Sequence, residues 1–300
     1  MKSPLLSVVI PVTRMDGKLQ NLKQTLNATA RLDIEVILVH DFAEQLTSIQ
    51  LFELSAEVPG LNYVLTEGVY GNPGGARNAG LILASGEWVA FWDSDDLPLV
   101  EEFFMMIEKA SSSEARVAIG GIETCIFGSE DNKRYFPAFI TDSNDSVFQL
   151  AQMPAFTRMA FRNVDLSTAK FPALSMGEDL VFLARSKFLE KDIYIHSKSV
   201  YLYILNFPGQ LTSNSSKLKQ ISDVWKYLYE EFKETTGTMN IFISFQLVRS
   251  LLLNLKLNQT LSFYMFRWIL LRLIKNPYMT FAIIVKILKN HDFLERKEQN

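Results

Sequence analysis

The chain has 300 residues, 48% hydrophobic and 21% charged, which provides for a large core and excludes the disordered and fibrous classes. A net charge of −3 gives no basis for wholesale nucleic-acid binding, and the one cysteine, Cys125, rules out an internal disulfide or a multi-cysteine metal site. Charge is uneven along the chain: from Arg249 onward 9 Lys/Arg face 3 Asp/Glu, leaving that tail at +6 and the remainder at −9.

In "MKSPLLSVVIPV" the apolar run is short, contains Pro11 and lacks a small-residue cleavage pattern, so it reads as a first strand rather than a leader. With the single cysteine, the expected location is the cytoplasm. Residues 6–12, 33–40, 61–66 and 87–93 are short β-rich runs, mostly apolar on successive residues, as expected for strands covered on both faces. The segments between are helix-like, with Leu19, Leu22 and Leu26 at spacings of three and four. Strand alternating with helix predicts an α/β fold with a mostly parallel sheet.

Beyond Asp96 the pattern predicts a helix over 98–111, a β-like run over 116–127 and a loop-rich polar stretch over 128–146. A helix over 176–188 follows, then a pair of strands or one long bent strand over 192–205. From about 217 to 297 nearly everything reads as helix, with breaks near Gly237, Asn258 and Pro277. Arg267, Arg272, Lys275 and Lys286 interrupt the apolar tail before about 18 clean residues accumulate, so a spanning helix is not expected. Its basic, apolar character suits either an anionic membrane surface or a helical bundle packed on the preceding domain.

The stretch "AFWDSDDLPL" places Asp93, Asp95 and Asp96 within four positions at a strand's carboxyl end, where ligands bind in open α/β sheets. Asp93 and Asp95, one residue apart, can both face a hard divalent cation, Mg²⁺ or Mn²⁺, that shares its oxygens with a substrate diphosphate. Asp96 before Pro98 reads as the cap of the next helix. Upstream, "GNPGGARNAG" is a glycine-rich turn into a helix whose N-terminus suits an anion. Arg77 in that first turn opposes the helix dipole, which points to nucleotide or phosphate contact. The histidines His40, His196 and His291 are too scattered for a metal site, and Trp88 and Trp92 alternate on a strand as core residues do.

The segments "SVVIPV", "IEVILVHD", "GNPGGARNAGLILASGEWVAFWDSDD" and "MGEDLVF", in that order, resemble family 2 glycosyltransferases over about the first 210 residues. The resemblance implies a GT-A fold, a Rossmann-like sheet flanked by helices, with a helical C-terminal extension. It also implies a nucleotide-sugar donor, a D-x-D metal motif and inversion at the anomeric carbon. On it, Asp93 is the aspartate near ribose and diphosphate and shares the metal with Asp95, the direct ligand. Pro11 and Thr13 line the nucleoside pocket, Asp41 is the acidic residue after the second strand, and Arg77 contacts base or ribose. Gly75, Asn78 and Ser94 belong to the same donor site. His40 departs from the family's acidic residue at its position, which bears on the expected UDP-sugar. In the segment from Tyr203, Asn206 and Gln210 stand where a basic residue is usual; either Lys198 or a residue elsewhere supplies that charge, or the segment is structural.

Inverting transfer needs a carboxylate to take the acceptor's proton, and the resemblance places it in the pair Glu178 and Asp179. Ser175-x-x-Glu178 fits a capping box, which leaves Asp179 as the preferred base. The expected organisation is a catalytic domain over 1–215, divided near 110 into nucleotide and acceptor halves, and a helical region over 216–300. The function implied is transfer to a hydroxyl of a cell-surface glycan or lipid-linked acceptor, peripheral at the membrane's inner face. A sugar nucleotidyltransferase and a catalytically silent glycan-binding or scaffold relative are the alternatives.

Overall fold

The computed structural model describes residues 3–13, 18–41, 48–138, 147, 150–207, 221–232, 234–256 and 285. The expected first half is present: β1 (Leu6–Val12), α1 (Leu19–Thr29), β2 (Ile34–Asp41), α2 (Ser48–Ala56), β3 (Tyr63–Gly68), α3 (Pro73–Leu83) and β4 (Trp88–Phe91). Then come β5 (Leu97–Pro98), α4 (Val100–Ser111), β6 (Val117–Ile126), β7 (Ser129–Phe136), β8 (Met159–Arg162), α5 (Glu178–Ser186), β9 (Ile193–Leu205), α6 (Ile221–Phe232) and α7 (Gly237–Lys256). Among the described residues the sheet order is β3-β2-β1-β4-β8-β6-β9-β5, with β7 paired to β6.

The first four strands are parallel, and β6 and β9 run with them; β8, β5 and β7 run against their neighbours. Alternate residues divide each strand between two cores, as the two-residue period of a strand requires. Val8, Ile10, Trp88, Ala90 and Trp92 join the core beneath α1, α2 and α4. Val9, Val89 and Phe91 join the one beneath α3, α5, α6 and α7. Both faces are covered, which is why these strands read as unbroken apolar runs.

The chain steps from β1 outward to β3, then crosses back to place β4 on the other side of β1. A right-handed crossover in the reversed direction puts α3 on the opposite face from α1 and α2. Gly80 lets α3 lie close on that face, since a Cβ there would stand 2.4 Å from Val9 Cγ1. The reversal opens a crevice at the carboxyl ends of β1 and β4, the switch point at which ligands bind in such sheets.

Three local expectations are corrected. Pro98 does not begin a helix: it lies in β5, paired opposite Tyr201 on β9, an edge position that tolerates its missing N–H. Asp96 does not cap α4, whose N-cap is Leu99 with no side-chain bond. The polar stretch after Gly128 opens with a strand rather than a loop, because Gly128 at φ +78° reverses the chain and, among the described residues, β7 pairs only with β6. Of the two readings for 192–205, the single strand is found: β9 runs over Ile193–Leu205, irregular in register against β6 around Gly121.

α7 buries Phe242, Phe245 and Val248 in the core under α5, with Phe242 edge-on to Phe188 at 5.4 Å. Gln246 Nε2 donates to the Ala151 carbonyl at 2.7 Å. This stretch of the C-terminal region is packed on the sheet domain, and no helix among the described residues is long and apolar enough to cross a membrane. The basic tail expected to touch a membrane is described as far as Lys256, within α7, and at residue 285; Asn258, Pro277 and His291 lie outside the described residues, as does Gln210.

Candidate active site

The crevice is walled by the end of β1, with Pro11 and Thr13 half-buried, and by the turn after β4. Trp92 N–H still donates to the Val9 carbonyl at 3.1 Å, so the two strands stay joined up to the turn. Asp93 and Asp95 are partly exposed there, whereas Ser94 and Asp96 are buried.

The third wall comes from far along the chain. α5 starts abruptly: Gly177, in the left-handed region at φ +80°, is its N-cap and supplies no side chain. A Cβ on Gly177 would lie 2.4 Å from Val224 Cγ2 of α6, so the C-terminal helix presses on the turn that launches Glu178 and Asp179. The expected capping box is therefore replaced. Glu178 accepts instead from Arg77 Nη1 at 2.5 Å.

Arg77 is the hub of the site. Its other nitrogen, Nη2, is 2.7 Å from Asp93 Oδ1, and its guanidinium lies 4.8 Å from the Phe156 ring centroid and 5.6 Å from that of Phe171. Burial alone would weaken its charge, but Asp93 and Glu178 outweigh burial and hold it cationic. Its place in the first turn of α3 is explained by two carboxylates rather than by open solvent.

Asp179 is partly exposed beside this cluster. Burial, reinforced by the charge of Glu178, pushes its carboxyl up to about 7, with Arg77 opposing. A carboxylate poised there can accept a proton near neutral pH and return it. Arg249 of α7 also reaches Asp179 electrostatically, while burial pulls its own guanidinium down to about 10.

Other candidates hold the walls together. Asp41 accepts from Tyr70 and Gly71 N–H at 2.9 Å each, pinning the loop before α3. Asn72 caps α3 by accepting from Gly75 N–H at 2.8 Å, so that amide is occupied; an Asn followed by Pro73 is a cap signal readable in sequence. Asn78 spends its amide on the backbone of Phe171, donating and accepting at 2.9 Å. Lys198 is paired with Glu102 at 3.0 Å, next to His196, so its charge is committed away from the turn. Lys18 Nζ, which no sequence pattern singled out, stands 3.7 Å from Asp95 Oδ2. Trp88 and Trp92 are fully buried.

Among the described residues no cluster of three His, Cys, Asp or Glu forms a closed metal cage. Asp93 and Asp95 offer hard carboxylate oxygens on one open turn, which suits an oxygen-seeking cation completed by substrate and water.

A mostly parallel sheet with acidic residues at its switch point, faced by a second acidic pair at the start of α5, is the GT-A class of fold. Residues 7–167 match the family model described as "Glycosyl transferase family 2", more than half of the chain, so the protein belongs to that family. It is 30% identical over 147 residues to the succinoglycan biosynthesis protein ExoO of Rhizobium meliloti, covering 44% of this chain and 41% of that one. It is 24% identical over 219 residues to the GalNAc(5)-diNAcBac-PP-undecaprenol beta-1,3-glucosyltransferase of Campylobacter jejuni, covering 71% and 69%. The structure of S. aureus TarS with UDP-GlcNAc superposes with a TM-score of 0.60, covering 84% of this chain and 72% of that one at 19% identity. The mannosyltransferase PcManGT of Pyrobaculum calidifontis, solved with GDP-Man and Mn²⁺, gives 0.55 over 99% and 89% at 14% identity.

Proposed function

We propose that the protein is a metal-dependent inverting glycosyltransferase that moves a sugar from a nucleotide diphosphate, a UDP-sugar, to a hydroxyl of a surface glycan or lipid-linked acceptor. The observation that carries this reading is Arg77, whose single guanidinium joins Asp93 on the donor side to Glu178, the neighbour of the base.

In this reading the nucleoside lies between Pro11 and Thr13 on β1 and the loop that Asp41 pins. Asp93 and Asp95 hold a divalent cation, Mn²⁺ or Mg²⁺, which when bound supplies charge to stabilise the leaving diphosphate. Asp179 takes the proton from the acceptor hydroxyl as that oxygen attacks the anomeric carbon from the face opposite the diphosphate, so no covalent enzyme intermediate is needed. Glu178, committed to Arg77, keeps Asp93 and Asp179 in fixed relation. The two relatives, one in succinoglycan biosynthesis and one on an undecaprenol-linked acceptor, support a surface-polymer acceptor. The Mn²⁺ in PcManGT supports the metal, and the UDP-GlcNAc in TarS the uridine.

The test is nucleotide release by purified protein against UDP- and GDP-sugars with a lipid-diphosphate acceptor, with and without Mn²⁺. Turnover that needs both metal and acceptor is expected. No turnover across the panel together with no metal-dependent nucleotide binding would leave the glycan-binding or scaffold alternative.

A further inference from the structure

Asp96 is left without a task once its capping role is withdrawn, yet it is 1% exposed and well bonded. Its Oδ1 accepts from Ile204 N–H at 2.9 Å and its Oδ2 from the Tyr201 hydroxyl at 3.1 Å. Tyr201, fully buried on β9, accepts in turn from the backbone N–H of Asp93 at 3.1 Å. β4 ends at Phe91, so this N–H lies beyond the strand, where an unmet donor would be costly. The relay runs from Asp93 N–H to the Tyr201 hydroxyl to Asp96, and closes the four-residue turn on itself across a side chain more than a hundred positions away. Directly after the turn, Leu97 and Pro98 pair with Leu202 and Tyr201, and Leu99 N–H donates to the Val200 carbonyl at 3.0 Å. Both ends of the turn are thus tied to one strand.

Both Asp96 oxygens face inward to these donors, which separates it from Asp93 and Asp95 on the open side. We propose that Tyr201 and Asp96 are positioning residues for the Asp93 and Asp95 pair, setting the backbone from which those two carboxylates reach a divalent cation and a nucleotide diphosphate. This rests on the donor-site reading above. Metal coordination tolerates errors of only about 0.2 Å in ligand position, so a turn held at its Asp93 amide and its Asp96 side chain binds better than one free to shift. The Tyr201 hydroxyl is the joint, because it alone touches both.

Tyr201→Phe removes that hydroxyl and keeps the ring in the core. Mn²⁺ binding in the presence of UDP, followed by electron paramagnetic resonance or calorimetry, is expected to weaken about 10-fold in this variant, the usual cost of losing an outer partner. UDP binding without metal stays within about twofold of the parent on the same grounds. Asp96→Asn keeps an acceptor for Ile204 N–H but turns an NH₂ toward Tyr201; it carries the same expectation, and decides the matter where the phenylalanine variant does not fold. A variant that melts earlier yet binds Mn²⁺ as tightly as the parent overturns the proposal, since a purely structural brace would do that. Parent protein showing no metal-dependent UDP or GDP binding overturns the donor-site reading itself, which the parent arm reveals before any variant is compared.

Discussion

Arg77 and Glu178 lie 101 positions apart and meet at 2.5 Å between Nη1 and Oε1, while the same guanidinium holds Asp93 at 2.7 Å. One cation thereby balances two carboxylates in the crevice, and its fork geometry sets their separation. Removing it leaves like charges facing each other with no neutralising partner. Arg77→Met is expected to cost about 3–5 kcal/mol of stability, the range for breaking a buried pair from one side. Arg77→Lys, a point charge without the fork, should recover part of the stability and little of the transfer rate. Urea unfolding alongside nucleotide release measures both.

As the proposed base, Asp179 ties transfer to pH in a definite direction. Its carboxyl, pushed up to about 7 from the ordinary aspartate value of about 4, holds a proton in the folded state between those values that the unfolded chain has lost. Stability from this group is complete below about pH 4 and declines as pH rises to about 7. Asp179→Asn, which stays neutral, should match the parent's melting temperature at pH 4. It should exceed it at pH 8 by several °C: the upward shift corresponds to about 4 kcal/mol before solvent screening of a partly exposed group, and each kcal/mol that survives gives roughly 2–4 °C. Transfer should fall at least 100-fold or so, the lower range for losing a general base. In the parent, kcat/KM should climb through about pH 7, because the base must be ionised to work. Glu178→Gln should lower the rate without abolishing that limb; if it abolished the limb and Asp179→Asn did not, the two roles would be exchanged.

The parts of this fold legible in sequence are those where local pattern and tertiary environment agree. β1, β2 and β4 are apolar because both faces of the sheet are covered, and α1 and α3 show their apolar spacing openly. β7 was hidden by its charge, since a strand paired on one side can be polar throughout. β8 is four residues long, too short for a period to show. The proposed donor-side aspartates stand out by position and chemistry. What meets in space does not: Tyr201 on the Asp93 N–H, the Arg77 link to Glu178 and Arg249 beside Asp179 depend on strands and helices whose placement no local spacing reveals. Asp96 shows the limit best: its neighbourhood in sequence offers a cap, and its neighbourhood in space is β9.

Arg249 extends the electrostatics of the base into the C-terminal helices. It belongs to α7, beyond residue 167 where the family match ends, and its charge attracts Asp179. That attraction favours the ionised carboxylate. Arg249→Met should therefore raise the Asp179 pKa and move the rising limb of kcat/KM to higher pH by a few tenths of a unit, with at most a modest change in the plateau rate. Each such unit corresponds to about 1.4 kcal/mol between the two protonation states. Profiles at low and moderate salt separate this from a packing effect, because a partly exposed charge is screened by added salt and a packing loss is not.

Asp95 is partly exposed, and its ion pair with Lys18 is long at 3.7 Å, so truncating it should disturb the fold little while removing one of the two proposed metal ligands. With UDP and Mn²⁺ together at about 100 times the dissociation constant, the parent should gain about 2.7 kcal/mol. That corresponds to roughly 5–10 °C in melting temperature for this chain length. Addition of EDTA should return the parent to its melting temperature with UDP alone. Asp95→Ala should show the same smaller shift with or without Mn²⁺, since Pro11, Thr13 and the Asp41-pinned loop remain to hold the nucleoside. Retention of the full Mn²⁺-dependent shift by Asp95→Ala would move the cation to other oxygens and leave Asp93, tied to Arg77, as the residue to vary next.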